Sequence, residues 1–323
     1  MKTLHGLLAG SLVVLTALHG AATGAQEFPN KPIKIVAPTG PGISPDIISR
    51  VVAEELTKTL GQPVIVENRP GASGMIGADL VASSPADGYT ILLGWSGLMS
   101  MNPHLYGTQR FDPKSKFVPI IHALNTPFVL IATKTAPYNT LTELGDYAKQ
   151  NPGQVTYSST GVGSHSHVAT ELIASKLGVK MVHVPYSTSS PVTDVVSSVV
   201  QMHLDPMVTA APMVNADRVK ALAVSSDERA DSLPKVPTLG ETWPGFSSYS
   251  MVGFYVPKGT PEPIIEILSS KIGDVLKNPD ARKRFIEMGY EVVGSTPDEF
   301  AQRWAEDYSI WGKVIKDASI NLE

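Results

Sequence analysis

The sequence predicts an α/β fold of two lobes that face each other across a cleft. Three observations carry this. Short β-branched runs alternate with helix-period segments along the chain, the order that strands and crossover helices produce. The unit strand, Gly/Ser loop, helix occurs at 33–60 and again at 155–177. Each unit places a helix N-terminus at the carboxyl end of a strand, where ligands bind in open α/β sheets.

Ahead of the first element stand Lys2, an apolar run from Leu7 to Leu18 and small residues ending Ala22-Thr23-Gly24-Ala25-Gln26. That is the pattern of a secretory signal peptide cut after Ala25. The run is shorter than the about 20 residues a membrane span needs. Ile33-Lys34-Ile35-Val36-Ala37 alternates as a strand does. Ile48, Val51, Val52, Leu56 and Leu60 fall on one face of a helix. Between them lies Pro38-Thr39-Gly40-Pro41-Gly42-Ile43-Ser44-Pro45-Asp46-Ile47-Ile48-Ser49-Arg50. Ser44 is placed as the N-cap, Pro45 as the first helical residue and Gly61 as the stop. The loop's N–H groups, that of Gly42 among them, then converge at a helix N-terminus and attract an anion. Asp46 and Arg50 are either an exposed i,i+4 pair or a device in which Asp46 ties the loop down.

Further strands are predicted at 63–67, 89–94, 128–132, 155–159, 181–185, 202–204 and 219–224. The run at 89–94 is apolar throughout, as in a buried parallel sheet. Helices are expected at 71–82, 141–150, 164–177, 262–276 and 297–315. Phe128 to Thr133 and Ser250 to Val256 are the extended segments available to cross between lobes. The resulting division is a signal peptide at 1–25, a first lobe from 26–124 and 250–323, and a second from 125–249.

Composition narrows the function. The 323 residues contain no cysteine and carry a formal net charge of −4, so no disulfide framework forms. No basic stripe is present for nucleic acid. Gly161-x-Gly163 lacks the third glycine and the later acidic residue of a dinucleotide fingerprint, and no Walker motif or G-x-S-x-G elbow occurs. His165 and His167 do not share a helix face and have no third ligand nearby, so one packs while the other caps or meets a ligand. Ser159, His167 and Asp205 are the residue types of a catalytic triad, but no motif pairs a nucleophile with its base. No metal, cofactor or catalytic residue is expected.

Pro38-Thr39-Gly40-Pro41-Gly42-x-x-x-Asp46-x-x-x-Arg50 and Leu60-Gly61-Gln62-Pro63-Val64-Ile65-Val66-Glu67-Asn68-Arg69-Pro70-Gly71-Ala72-x-Gly74 resemble the Bug family of periplasmic solute receptors. So do Asp87-Gly88-Tyr89-Thr90, Asn102-Pro103-x-Leu105-Tyr106, Tyr157-Ser158-Ser159-x-Gly161-x-Gly163-Ser164, His183-Val184-Pro185-Tyr186 and Val236-Pro237-Thr238. The resemblance implies a type II-like periplasmic binding protein, each lobe a mostly parallel sheet with helices. It also implies a monomer that passes a carboxylate to the inner-membrane subunits of a tripartite tricarboxylate transporter. By position it implies ligand contacts at Thr39, Gly40, Pro41, Gly42, Ile43 and Ser44, then Ser96 and Gly97. From the other lobe it implies Ser159, Thr160, Gly161, Ser164 and His167, with Tyr186, Ser187, Ser189 and Asp205 at the far end.

Two departures bear on the ligand. Ile43 stands where the family usually has a second glycine, and Ser187-Thr188 where it often has Lys-Gly. Ile43, Trp95, Leu98, Met99, Pro206 and Met207 either wall the cleft or pack the cores. As walls they favour an aromatic carboxylate, such as the dicarboxylate terephthalate, over citrate or glutamate. The competing class is a secreted α/β hydrolase with Ser159 or Ser164 as nucleophile.

Overall fold

The computed structural model describes residues 28–186 and 191–320. The expected signal peptide, Ser187 and Ser189 lie outside the described residues. The chain builds β1 (Ile33–Ala37), α1 (Ser44–Leu60), β2 (Val64–Asn68), α2 (Met75–Ala82) and β3 (Thr90–Trp95). Then come α3 (Asn102–Tyr106), α4 (Pro113–Lys116) and β4 (Phe117–Thr126). A second series follows: β5 (Phe128–Thr133), α5 (Leu141–Gln150), β6 (Thr156–Ser159), α6 (His165–Leu177), β7 (Val182–Pro185) and α7 (Pro191–Val196). It continues with β8 (Met202–Pro206), α8 (Met207–Asn215), β9 (Val219–Val224) and α9 (Leu239–Thr242). The chain ends with β10 (Ser250–Pro257), α10 (Glu262–Lys277), α11 (Pro279–Glu287), β11 (Glu291–Val292) and α12 (Pro297–Asp317).

Two sheets form, ordered β11-β4-β10-β3-β1-β2 and β7-β6-β8-β5-β9. The two-lobe α/β architecture is as expected, but the sheets are mixed rather than mostly parallel. Only β2-β1-β3 and β7-β6-β8 run parallel; every other pairing is antiparallel. The reason is the two strands that follow the crossings: β10, returning from the second lobe, lies between β3 and β4 antiparallel to both, and β5, arriving from the first, lies between β8 and β9 antiparallel to both. β4 itself is not legible as a strand, because Pro119, His122 and Asn125 interrupt its apolar run. It tolerates Pro119 at a register shift opposite Tyr255.

The lobes join where β4 becomes β5 across Pro127. There Ser225 Oγ accepts from the Phe128 N–H (2.8 Å), and the Ser225 N–H donates to the Phe128 carbonyl (2.8 Å). The Ser248 N–H donates to the Ser225 carbonyl (2.9 Å) just before β10. So β5 and β10 each belong to one sheet, and the crossings are the short segments that precede them.

Helix ends follow local chemistry. α1 buries Ile48, Val51, Val52 and Leu56 and stops at Gly61, φ 66°. Its N-cap is Ile43, not Ser44, and no side chain caps it. α6 is capped by Ser164, whose hydroxyl accepts from the His167 N–H. α12 starts with a Thr296/Glu299 capping box. It buries Phe300 and Trp304 in the first lobe and Trp311, Val314 and Ile315 in the second.

Gly253 of β10 gives a test of that packing. A Cβ there would lie 2.3 Å from the Phe300 ring and 2.8 Å from the Ile121 carbonyl oxygen. Gly253→Ala should therefore destabilise the fold by about 1–3 kcal/mol, the usual cost of overpacking. Urea unfolding measures it, and an unchanged midpoint would contradict the β10–α12 contact.

Candidate ligand-binding cleft

A cavity of about 480 Å³ lies between the lobes. The first lobe lines it with Thr39, Ile43, Ser44, Pro45, Ile48, Ser73, Trp95, Gly97, Asn102, Leu105, Tyr106 and Tyr290. The crossings add Thr126, Phe128 and Ser250, and the second lobe Thr160, Val162, Gly163, Ser164, His165, Ser166, His203 and Pro206. No Asp, Glu, Lys or Arg is among the lining residues. Its polar groups are hydroxyls, imidazoles, one carboxamide and backbone N–H.

In the first lobe the β1–α1 loop is held by Asp46. This side chain is 2 % exposed, so the pair with Arg50 is not the surface ion pair it resembles in sequence. One carboxylate oxygen accepts from the Gly42 N–H (2.8 Å) and Arg50 Nε (3.0 Å); the other accepts from Asn68 Nδ2 (2.9 Å) and Arg50 Nη2 (2.9 Å). Burial alone would raise its pKa. The bonds from Arg50, Gly42 and Asn68 outweigh burial and hold the carboxyl below its usual range. The Gly42 N–H is thereby committed to Asp46 rather than free for a ligand, a correction to the sequence expectation. Gly42 has φ 78°, the left-handed turn that lets its N–H face inward. The N–H groups of Ile43 and Ser44 have no acceptor among the described residues, and the buried Thr39 Oγ1 has no partner. Tyr290 OH donates to Ser44 Oγ (2.6 Å), bringing a residue from beyond α11 to the same end.

The second-lobe loop spends most of its amides on itself. Thr160 N–H donates to Ser166 Oγ, Gly161 N–H to Ser159 Oγ, Gly163 N–H to His167 Nδ1 and Ser164 N–H to the Gly161 carbonyl. Among the described residues the N–H groups without an acceptor in this cavity-lining stretch are those of Val162, His165 and Ser166, the last two in the first turn of α6. Behind the loop His167 stacks on His183, centroids 3.8 Å apart and planes 6° apart. Burial, and then the proximity of His183, lowers the His167 pKa to about 4; burial lowers that of His183 to about 4. His165 stacks on Phe128 at 4.3 Å, and burial lowers its pKa to about 3.

Thr39, Ile43, Ser44, Gly97, Thr160 and Ser164 thus come together on the cavity. Gly40, Pro41, Gly42 and Gly161 form the loops without lining it. Ser96 is buried, its hydroxyl accepting from the Met251 N–H (2.9 Å). Ser159 is fully buried, bonded to Gly161 and 2.6 Å from His183 Nε2. Tyr186 OH donates to Asp194. Asp205 sits behind the wall, accepting from Thr209 and lying 3.5 Å from Nε2 of His203, whose Nδ1 donates to the Ser158 carbonyl (2.8 Å). Ser159, His167 and Asp205 therefore do not assemble as a triad. Of the apolar wall candidates, Ile43, Trp95 and Pro206 face the cavity. Leu98, Met99 and Met207 pack in the cores instead. Asn102, Tyr106, Phe128, Ser166, His203 and Tyr290 line the site without having been singled out as contacts. Asn102 and Tyr106 stood in a quoted family motif, the one signal available for them. Among the described residues no cluster of three or more His, Cys, Asp or Glu side chains suits a metal.

Two outcomes follow from these anchors. Asp46→Ala strands the Gly42 N–H, removes one of the two acceptors of Asn68 Nδ2 and leaves Arg50 without its carboxylate, and should cost about 2 kcal/mol in urea unfolding, the scale of a charge-assisted hydrogen bond. The folded His167 and His183 take up protons less readily than unfolded histidines, whose pKa is about 6.5. Stability is therefore full above about pH 6.5 and falls as pH drops toward about 4. Thermal melts across that window should show this slope. His167→Asn keeps an acceptor for Gly163 but cannot be protonated, so it should flatten part of the slope. An equal slope in the variant would contradict the assignment.

Comparison with known proteins agrees with this geometry. The model of the tripartite tricarboxylate transporter family receptor matches residues 48–320. BugT of Bordetella pertussis is 31% identical over 315 residues, covering 97% of each chain. The R. palustris protein Rpa4515, solved with adipate, superposes with a TM-score of 0.77 at 31% identity, over 91% of this chain and 99% of that one. MatC from Rhodopseudomonas palustris, solved with bound malate, gives 0.74 at 31% identity, over 89% and 100%. The chain belongs to the tripartite tricarboxylate transporter receptor family, together with the Bug proteins.

Proposed function

We propose that this receptor works in the periplasm, as a monomer, and captures an aromatic carboxylate such as terephthalate for the inner-membrane subunits of its transporter. It performs no chemistry on the ligand. The observation that carries this reading is a cavity that, among the described residues, has no charged side chain, is walled by Trp95, Tyr106 and Phe128 and is edged by N–H groups without acceptors at the starts of α1 and α6. Helix N-termini favour a carboxylate without needing a cationic side chain. Apolar walls favour a flat body, since an acid dense in hydroxyl or amino groups would leave its own polar groups unpaired there. Related receptors carry adipate and malate, so the body between the carboxylates varies within the family. A hydrolase is disfavoured because Ser159 is fully buried and Asp205 is engaged with Thr209. Among the described residues no helix is long and apolar enough to cross a membrane.

Isothermal titration against terephthalate, benzoate, nicotinate, citrate and glutamate tests the reading. At least one aromatic acid should bind saturably and be recovered unchanged, and its methyl ester should bind at least about tenfold more weakly, as expected for losing one charge-assisted hydrogen bond. Binding of citrate or glutamate with failure of every aromatic acid would overturn the ligand class.

A further inference from the structure

Trp95 ends β3 and is the one indole on the cavity wall. Its ring lies against two glycines. A Cβ on Gly74 would stand 3.1 Å from Cη2; a Cβ on Gly97 would stand 2.9 Å from Nε1 and 3.2 Å from Cδ1. Gly74 has φ 92°, which by itself favours glycine. Gly97 has no such reason. It opens a helical turn, Gly97–Met101, with φ outside the left-handed region, where alanine would be the more stable residue. What the missing side chain provides at Gly97 is room for the indole.

The rest of the ring is committed as well. It packs, partly buried, against both hydrophobic clusters of the first lobe and also lines the cavity. Phe128, with His165 stacked on it at 4.3 Å, supplies a second flat surface in the same cavity. A ring held on several sides loses little conformational freedom when a ligand lies on it, so it binds flat partners as a preorganised plate. We infer that Trp95 is the specificity-determining contact for the ligand's body and that Gly97 is the residue that positions it. The inference rests on the carboxylate-receptor reading above and adds the element that selects a planar body over a flexible chain.

The test titrates terephthalate, benzoate and adipate against wild type, Trp95→Phe, Trp95→Leu and Gly97→Ala. Trp95→Leu should weaken the two aromatic acids by about tenfold or more, since it removes an aromatic pair along with its area. Adipate should change by less than about threefold, because a flexible chain gains little from a plate. Trp95→Phe should fall between. Gly97→Ala should shift the aromatic acids in the same direction as Trp95→Leu, although the indole itself is still present. In wild type, terephthalate should move the Trp95 indole N–H resonance more than adipate does. A merely structural role would instead weaken all three acids equally and lower the urea midpoint in parallel. That result, or unchanged aromatic affinity in Trp95→Leu, would overturn this inference while leaving the receptor reading intact. Wild type that binds adipate but neither terephthalate nor benzoate would overturn this inference, and failure of nicotinate as well would overturn the aromatic class with it. Wild type that binds none of the three would overturn this inference, and the carboxylate-receptor reading with it only if nicotinate, citrate and glutamate also fail.

Discussion

Ser225 registers the two lobes. Its hydroxyl and amide both engage the backbone of Phe128 as the chain leaves the first sheet, and its carbonyl receives Ser248 as the chain returns. A backbone that passes between two cores must satisfy its N–H and C=O groups without a continuous ladder on either side. Here Ser225, just after β9, bonds to both crossings. Because Thr126, Phe128 and Ser250 lie at these crossings and also line the cavity, the same hydrogen bonds set the floor of the site and the separation of its walls.

Charge is kept out of the cavity and used behind it. Asp46 holds four hydrogen bonds that shape the first loop, and Asp205 lies beneath His203 on the other side. The histidines follow the same rule. Burial lowers the pKa of His165, His167 and the partly buried His183 to about 3, 4 and 4, so at neutral pH each acts as a flat, weakly polar surface or as a hydrogen-bond acceptor. A pocket built this way leaves the anion to meet main-chain donors. Such donors are fixed by helix and loop geometry and lose no side-chain entropy on binding.

Much of this was legible in the chain. The strand–loop–helix units, the Gly61 stop and the Ser164 cap depend on local chemistry, and local chemistry is written in neighbouring residues. The family motifs located both loops. What was not legible depends on partners far away in sequence. Gly42 looked like a ligand donor although Asp46, four residues on, was already one candidate to tie the loop down; what decides for Asp46 is its burial with Asn68 and Arg50 converging on the same carboxylate. Leu98 and Met99 looked like walls because they adjoin Trp95, yet the helical turn after Gly97 carries them into the core. Tyr290 reached the site through a fold contact with Ser44 that no spacing encodes. β4 was hidden because its pairing with β10 overrides a proline and two polar residues.

α12 adds a third link to the two crossings, and this limits how the lobes can move. Trp304 donates its indole N–H to the Met99 carbonyl (3.2 Å) in the first lobe. Seven residues on, Trp311 is buried in the second-lobe core and donates to Asp307 within the helix (2.8 Å). Separating the lobes by translation would have to pull one of these indoles out of its core. Each buries a large apolar area. Rotation about an axis through the crossings and the middle of α12 preserves both anchors. That is the hinge-type motion in which a few element ends absorb the change while the packed lobes stay rigid. The cavity-lining starts of α1 and α6 belong to opposite lobes, so their separation depends on how the lobes sit. A ligand that met both starts at once would favour the lobe arrangement that brings them together.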